Sequence, residues 1–130
     1  MSTENTEAKG EIVFRSIAMP AETNANGDIF GGWILSQMDL GGSVLAKKIS
    51  GKRVVTVALD GLSFLQPVKV GDIVTCYASL FKIGNTSIKI EIETWVYRHQ
   101  SGETKQVTHG IFTYVAIDDD GKPTPINAEK

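Results

Sequence analysis

The sequence predicts an α+β fold, a curved antiparallel β-sheet of about five strands wrapped around one long central helix. Three observations carry that expectation. Only one stretch, from Phe30 or Gly31 to Ile49, is a long helical candidate, and it is apolar on nearly every side. Everything after it falls into β-branched runs separated by short turns. One strand-like run precedes it, and 130 residues suit a single domain when about 150 residues per domain is the prior.

Taken in order, residues 1–10 are polar, offer nothing to bury, and are expected to form a flexible N-terminus. Glu11–Met19 (EIVFRSIAM) suits a strand stopped by Pro20. Ala21–Asp28 is dense in turn formers, with Asn26–Gly27 the strongest local signal. The helix that follows carries Trp33, Ile34, Leu35, Met38, Leu40, Val44 and Leu45, the pattern of a buried helix. Gly31–Gly32 and Gly41–Gly42 weaken it by about 1 kcal/mol per residue relative to Ala. Such a loss persists where a backbone must approach something closely. Lys47 and Lys48 complement the dipole at its last turn, and Ser50–Gly51 end it.

Arg53–Leu65 is a long β-branched run closed by Gln66–Pro67, and Pro67–Gly71 spells a turn into Asp72–Lys82. Gly84–Asn85 turns the chain into Thr86–Tyr97, where Ile88, Ile90, Ile92, Thr94 and Val96 alternate with Lys89, Glu91, Glu93, Trp95 and Tyr97. His99–Glu103 forms the next hairpin loop before Lys105–Ile117, and residues 118–130, with two prolines, read as a loose tail. The domain is therefore expected over residues 11–117. Consecutive hairpins imply an antiparallel sheet, and one sheet hides a helix apolar all round only by curling about it. That is the hotdog architecture. A single such sheet leaves part of its helix uncovered, which predicts pairing with a second copy.

Composition narrows the function. Thirteen basic against fifteen acidic residues give a net charge of −2, which argues against nucleic acid. No apolar run approaches the ~18–20 residues of a membrane span. Met1–Glu7 is polar and acidic, the opposite of a secretory signal, so a cytoplasmic location is expected. Cys76 stands alone and excludes an internal disulfide. Phosphate-loop, metalloprotease, Cys-x-x-Cys and nucleophile-elbow motifs are absent from the sequence. His99 falls in a hairpin loop and His109 in the last strand, ordinary places for either.

Two features stand out. Asp39 interrupts the apolar helix between Met38 and Leu40, where a carboxylate is costly unless hydrogen-bonded or paired. Its helical neighbours Ser36 and Ser43 are the local candidates to donate to it. The second feature is the glycine-rich helix start, where Gly31 and Gly32 present bare backbone N–H groups at the positive end, able to polarise a carbonyl. Gly32 and Asp39 lie about 10 Å apart along one helix axis. One helix therefore does not bring both within the ~3 Å of reacting atoms that chemistry needs. Two antiparallel helices at a two-fold interface do, which predicts a composite site.

Thr23–Asn24–Ala25–Asn26–Gly27–Asp28–Ile29–Phe30–Gly31–Gly32–Trp33, continuing through Ser36–Gln37–Met38–Asp39, resembles the signature of the YciA-type acyl-CoA thioesterases. Arg53–Val57, Phe64–Val68 and Val70–Asp72 are similar to later blocks of the same family, so the likeness covers about residues 11–117. The resemblance implies hydrolysis of acyl-CoA to a fatty acid and coenzyme A, with no metal and no cofactor beyond the coenzyme A of substrate and product. It implies Asp39 as the catalytic carboxylate and Asn24 as its helper from the partner subunit, with the minimal dimer assembling into a trimer of dimers. Geometry alone does not separate Asn24 from Asn26.

Gly32, with Gly31 beside it, is expected to polarise the thioester. Arg53, in the recognised block and near Lys47, Lys48 and Lys52, is expected to meet coenzyme A phosphate. Thr86 and Ser87 are weaker substrate-binding candidates. Two rivals differ in kind. A hotdog dehydratase would need a histidine between residues 20 and 49, where the sequence has none. A non-catalytic acyl-CoA sensor or carrier would have no need for a carboxylate at position 39.

Overall fold

The computed structural model describes residues 7–126; the terminal residues 1–6 and 127–130, and the expectations placed on them, lie outside those described. Five strands, β1 (Glu11–Ile17), β2 (Arg53–Phe64), β3 (Ile73–Ile83), β4 (Ser87–Arg98) and β5 (Glu103–Ile117), and one helix, α1 (Gly31–Ser50), make up the fold, with a short 3-10 turn over Pro20–Glu22. All five strands join one antiparallel sheet in the order β1-β3-β4-β5-β2.

The alternation in β4 decides which face the helix covers. Ile88, Ile90, Ile92, Thr94 and Val96 are buried inward, beside Val74, Cys76 and Ala78 of β3 and Phe112, Tyr114 and Ala116 of β5. Onto this concave face α1 sets Ile34, Met38, Leu45 and Ala46. Irregularities in the pairing of all five strands, such as those between Thr56 and Ala58 and between Thr94 and Trp95, help curl the sheet around the helix.

The paired glycines mark close approaches. A methyl at Gly41 would sit 2.5 Å from Val13 on β1, and one at Gly42 would fall on the Tyr114 hydroxyl of β5. Gly51, left-handed at φ 67°, caps the helix by donating its N–H to Lys47 O.

Two expectations are corrected. β2 and β3 do not form a hairpin: β2 pairs with β5, at the opposite edge of the sheet from β1. Their link is a packed crossover rather than a turn, with Val68 and Asp72 buried. Asp72 accepts from the Arg98 guanidinium at 2.7 and 2.9 Å and from Lys69 N at 2.9 Å, which pins the link to the end of β4. The C-terminal tail is not loose as far as residue 126. It turns back on the sheet, where Thr124 N donates to Ala116 O and Ile126 N to Asn85 O.

One side of α1 stays uncovered in the single chain, with Leu40 63% and Val44 49% exposed. Beside it runs the outer edge of β2, with Val55, Val57, Leu59 and Phe64 exposed.

Candidate active site

The loop before α1 is built around Asn24. Its side-chain oxygen accepts N–H groups from Asn26 (2.8 Å) and Asp28 (3.2 Å), while Asn24 N donates to Asp28 O and Gly27, at φ 83°, closes the turn. The two donors fix the amide orientation, because only the oxygen accepts them; the Asn24 NH2 is therefore turned out of the loop as a donor. Asn26 contributes its backbone and is exposed. The two asparagines, which geometry argued from the sequence leaves equivalent, thus differ in their place in the loop.

The loop is tied down twice. Ile29 N donates to Val68 O at 2.9 Å, and Lys69 Nζ pairs with Asp28 at 2.6 Å. The Asp72–Arg98 pair that anchors the Val68 crossover therefore also supports the entry to α1.

At the helix start, Phe30 is the N-cap and provides no side-chain cap. Trp33 N and Ile34 N both turn to Phe30 O, and the first amides, Gly31 and Gly32, are the ones a helix leaves without intrahelical acceptors. A methyl at Gly31 would lie 3.2 Å from the Phe64 ring, whereas no atom outside its own helix and immediate neighbours lies within 4 Å of the position a Gly32 side chain would take. The Gly32 face is open.

Two turns along, Asp39 is half-buried and held from the sheet. Thr56 Oγ1 donates to its Oδ1 at 2.7 Å, and the Tyr114 hydroxyl donates to the same oxygen at 3.1 Å and to Asp39 O at 2.9 Å. Ser36 and Ser43 are not its partners; they bond the helix carbonyls of Gly32 and Leu40. Sequence reasoning missed both Thr56 and Tyr114. Thr56 was within reach, since it sits inside the recognised Arg53–Val57 block, but nothing local marks Tyr114.

Arg53 begins β2 opposite Ile117 and donates to Asp118 O at 3.3 Å, in a shallow cleft shared with Lys52, Asp118, Asp119 and Thr124. Lys48 is paired with Glu11, and Lys47 is exposed. Thr86 and Ser87 sit at the same end of the sheet, but β5 separates them from β2, so they do not touch Arg53. Cys76 is buried against Thr94, and burial pushes its thiol up to about 11, the state of an inert filler. His109 pairs with Glu91 at 2.8 Å on the outward face of the sheet, away from α1. No group of three or more metal-ligating side chains occurs among the described residues. None of their helices is long and apolar enough to cross a membrane.

Residues 26–102 match the Thioesterase superfamily. A relative from Salmonella typhimurium, the acyl-CoA thioester hydrolase YciA, is 55% identical over 129 residues, covering 97% of each chain. The chain belongs to this family, the YciA-type acyl-CoA thioester hydrolases of the Thioesterase superfamily. Among solved structures, a hexameric thioesterase from Yersinia pestis is 57% identical with a TM-score of 0.88, over 92% of this chain and 98% of that one. An acyl-CoA hydrolase from Staphylococcus aureus, solved with butyryl coenzyme A and coenzyme A, is 28% identical with a TM-score of 0.80, over 87% and 69%. The YciA-type fold is thus the one built here, a single helix in the concave face of a five-stranded sheet.

Proposed function

We propose that this chain hydrolyses acyl-CoA to a carboxylic acid and free coenzyme A at a site shared by two copies. Asp39 comes from one copy and the Asn24–Gly32 segment from the other. The observation that carries this reading is the placement of Asp39: an anchored carboxylate on the uncovered flank of α1, beside the unpaired edge of β2. The Gly32 amide of the same helix is about 10 Å away. A two-fold pairing through β2 and the Leu40–Val44 face sets each helix start beside the middle of its neighbour.

In that arrangement the Gly32 N–H, with Gly31 beside it, polarises the thioester carbonyl as negative charge develops on its oxygen. The Asn24 NH2 donates to the same carbonyl or to the attacking water. Asp39 takes the proton of that water, or attacks the carbonyl itself to form an anhydride that water then opens. The thiolate leaves without strong acid assistance. Arg53, about 10 Å up β2 from Thr56, is the residue we assign to coenzyme A phosphate, with Thr86 and Ser87 farther along the same end.

Support comes from the relatives. The Staphylococcus aureus hydrolase has been solved with an aspartate, and separately an asparagine, replaced by alanine. The Yersinia pestis thioesterase is hexameric, and a trimer of dimers is the assembly we infer.

The test is complementation. Asp39→Ala and Asn24→Ala are each expected to lose thiol release from acyl-CoA by about 10³-fold. Refolded together in equal amounts, they should regain about a quarter of the wild-type rate, because each mixed dimer rebuilds one of its two sites. A mixture no faster than its components overturns the shared site. Wild-type protein that releases no thiol from any acyl-CoA of graded chain length overturns the activity.

A further inference from the structure

We infer that Tyr114 is a positioning residue for this reaction, its hydroxyl seated through a notch at Gly42 and pinning one oxygen of Asp39 so that the other meets water or thioester. The inference rests on the thioesterase reading and adds to it the orientation of the carboxylate.

Thr56 and Tyr114 are directly opposite each other in the β2–β5 pairing, so their hydroxyls reach the helix side by side. Both converge on Asp39 Oδ1, at 2.7 and 3.1 Å. Among the described residues no partner meets Oδ2. A carboxylate with one oxygen doubly engaged has lost its freedom to rotate, and the remaining oxygen carries the reactive lone pairs.

The rest of the environment holds Tyr114 rigid. Its side chain is fully buried, stacked on Phe112 with ring centroids 6.4 Å apart. Its hydroxyl also donates to Asp39 O at 2.9 Å, which ties it to the helix backbone as well as to the carboxylate. That approach is possible only because position 42 is glycine: an added methyl would fall on the hydroxyl and lie 2.6 Å from Ile92 Cδ1. Burial first, then the Asp39 charge and hydrogen bond, hold the phenol well above its ordinary range. Tyr114 therefore stays a neutral donor at any working pH and orients Asp39 without exchanging a proton with it.

The experiment compares wild type, Asp39→Ala, Tyr114→Phe and Gly42→Ala as assembled proteins, with kcat, KM and the pH dependence of kcat measured on one acyl-CoA. Tyr114→Phe keeps the packed ring and should lower kcat by about 10- to 100-fold. KM should stay within about twofold, since the Tyr114 side chain is fully buried behind Asp39. The acid limb of its kcat profile should move to higher pH, because the carboxylate has one donor fewer. A merely structural role would not move that limb. Gly42→Ala keeps the hydroxyl but displaces it, and should give the same signature.

A Tyr114→Phe enzyme with wild-type kcat and an unmoved acid limb overturns the positioning role while leaving the thioesterase reading intact. Equal rates for wild type and Asp39→Ala overturn that reading and this inference with it. Should Gly42→Ala fail to fold, Tyr114→Phe decides alone.

Discussion

β2 and β4 are both twelve residues long and both rich in β-branched side chains, yet they live in opposite conditions. β4 is flanked on both edges, and its inward residues from Ile88 to Val96 are sealed beneath α1. β2 is an edge strand, paired only with β5, and almost every residue along it is exposed. Val55, Val57 and Leu59 therefore face water, as do Leu40 and Val44 on the adjoining helix flank. A long apolar edge is a pairing template that soluble proteins normally cover or charge. Burying a side chain of this size is worth about 1.5–3 kcal/mol, so a second copy seated on this flank has a driving force that β4 has already spent within one chain. The centre of the sheet is finished by folding; the β2 flank is left unfinished by it, and the candidate carboxylate sits on that side.

The largest effect is expected at Val57, 56% exposed on the β2 edge. Val57→Lys puts a like charge on both sides of the proposed two-fold contact without touching the core. The expected outcome is a single-chain species in sedimentation, with secondary structure retained and thioesterase activity down by about 10³-fold, the loss expected of Asp39→Ala. A monomeric variant with full activity would show that the β2 flank is not where the site is completed.

A smaller and more selective effect is expected at Asn24. Asn24→Asp keeps the oxygen that organises the loop through Asn26 N and Asp28 N but loses the NH2 donor. Its melting temperature should stay near wild type while kcat falls by about 100-fold. Asn24→Ala loses both functions, so its melting temperature should also drop, by the equivalent of about 1 kcal/mol. Thermal melts beside steady-state rates separate the two roles; equal melting temperatures for the two variants would remove the loop-building role of the oxygen.

The contrast between the two strands also explains what was legible in the sequence. The two-residue period of β4 is a local signal, and so are the three- and four-residue links that join β3, β4 and β5 as hairpins. The β2–β3 connection has eight residues, Leu65 to Asp72, and its role depends on Asp72 meeting Arg98, 26 positions away. No local pattern encodes that, which is why it read as one more hairpin.

The site divides the same way. Asp39 was visible as a carboxylate in an apolar helix, and Gly41–Gly42 as close approaches without named partners. The groups that hold Asp39 come from 17 and 75 positions away and are set by sheet register. Ser36 and Ser43, at helical spacing, had nearer acceptors in their own helix. Helical spacing marks the group that needs partners, but the partners themselves come from the sheet.

The smallest expected effect tests the finished half of the comparison. On the outward face of β4, Glu91 is paired with Lys9 at 3.0 Å and His109 at 2.8 Å, and Glu93 accepts from Trp95 Nε1, so polar groups there are satisfied within one chain. Hydrogen bonds from Lys9 and then His109 hold the Glu91 carboxyl below its ordinary value of 4.5. Because the folded value lies below the unfolded one, the stabilisation is complete above the ordinary glutamate range and is lost as pH falls through the lowered value. Lys9 is exposed, so water and salt limit the contribution to about 1 kcal/mol or less. Glu91→Gln should therefore remove a small acid-sensitive increment of stability, seen as a flatter plot of denaturation midpoint against pH below 5 or so, while assembly and kcat stay at wild-type values. A loss of assembly in this variant would mean that the outward face of β4 also needs a partner, and the division between a finished centre and an unfinished flank would fail.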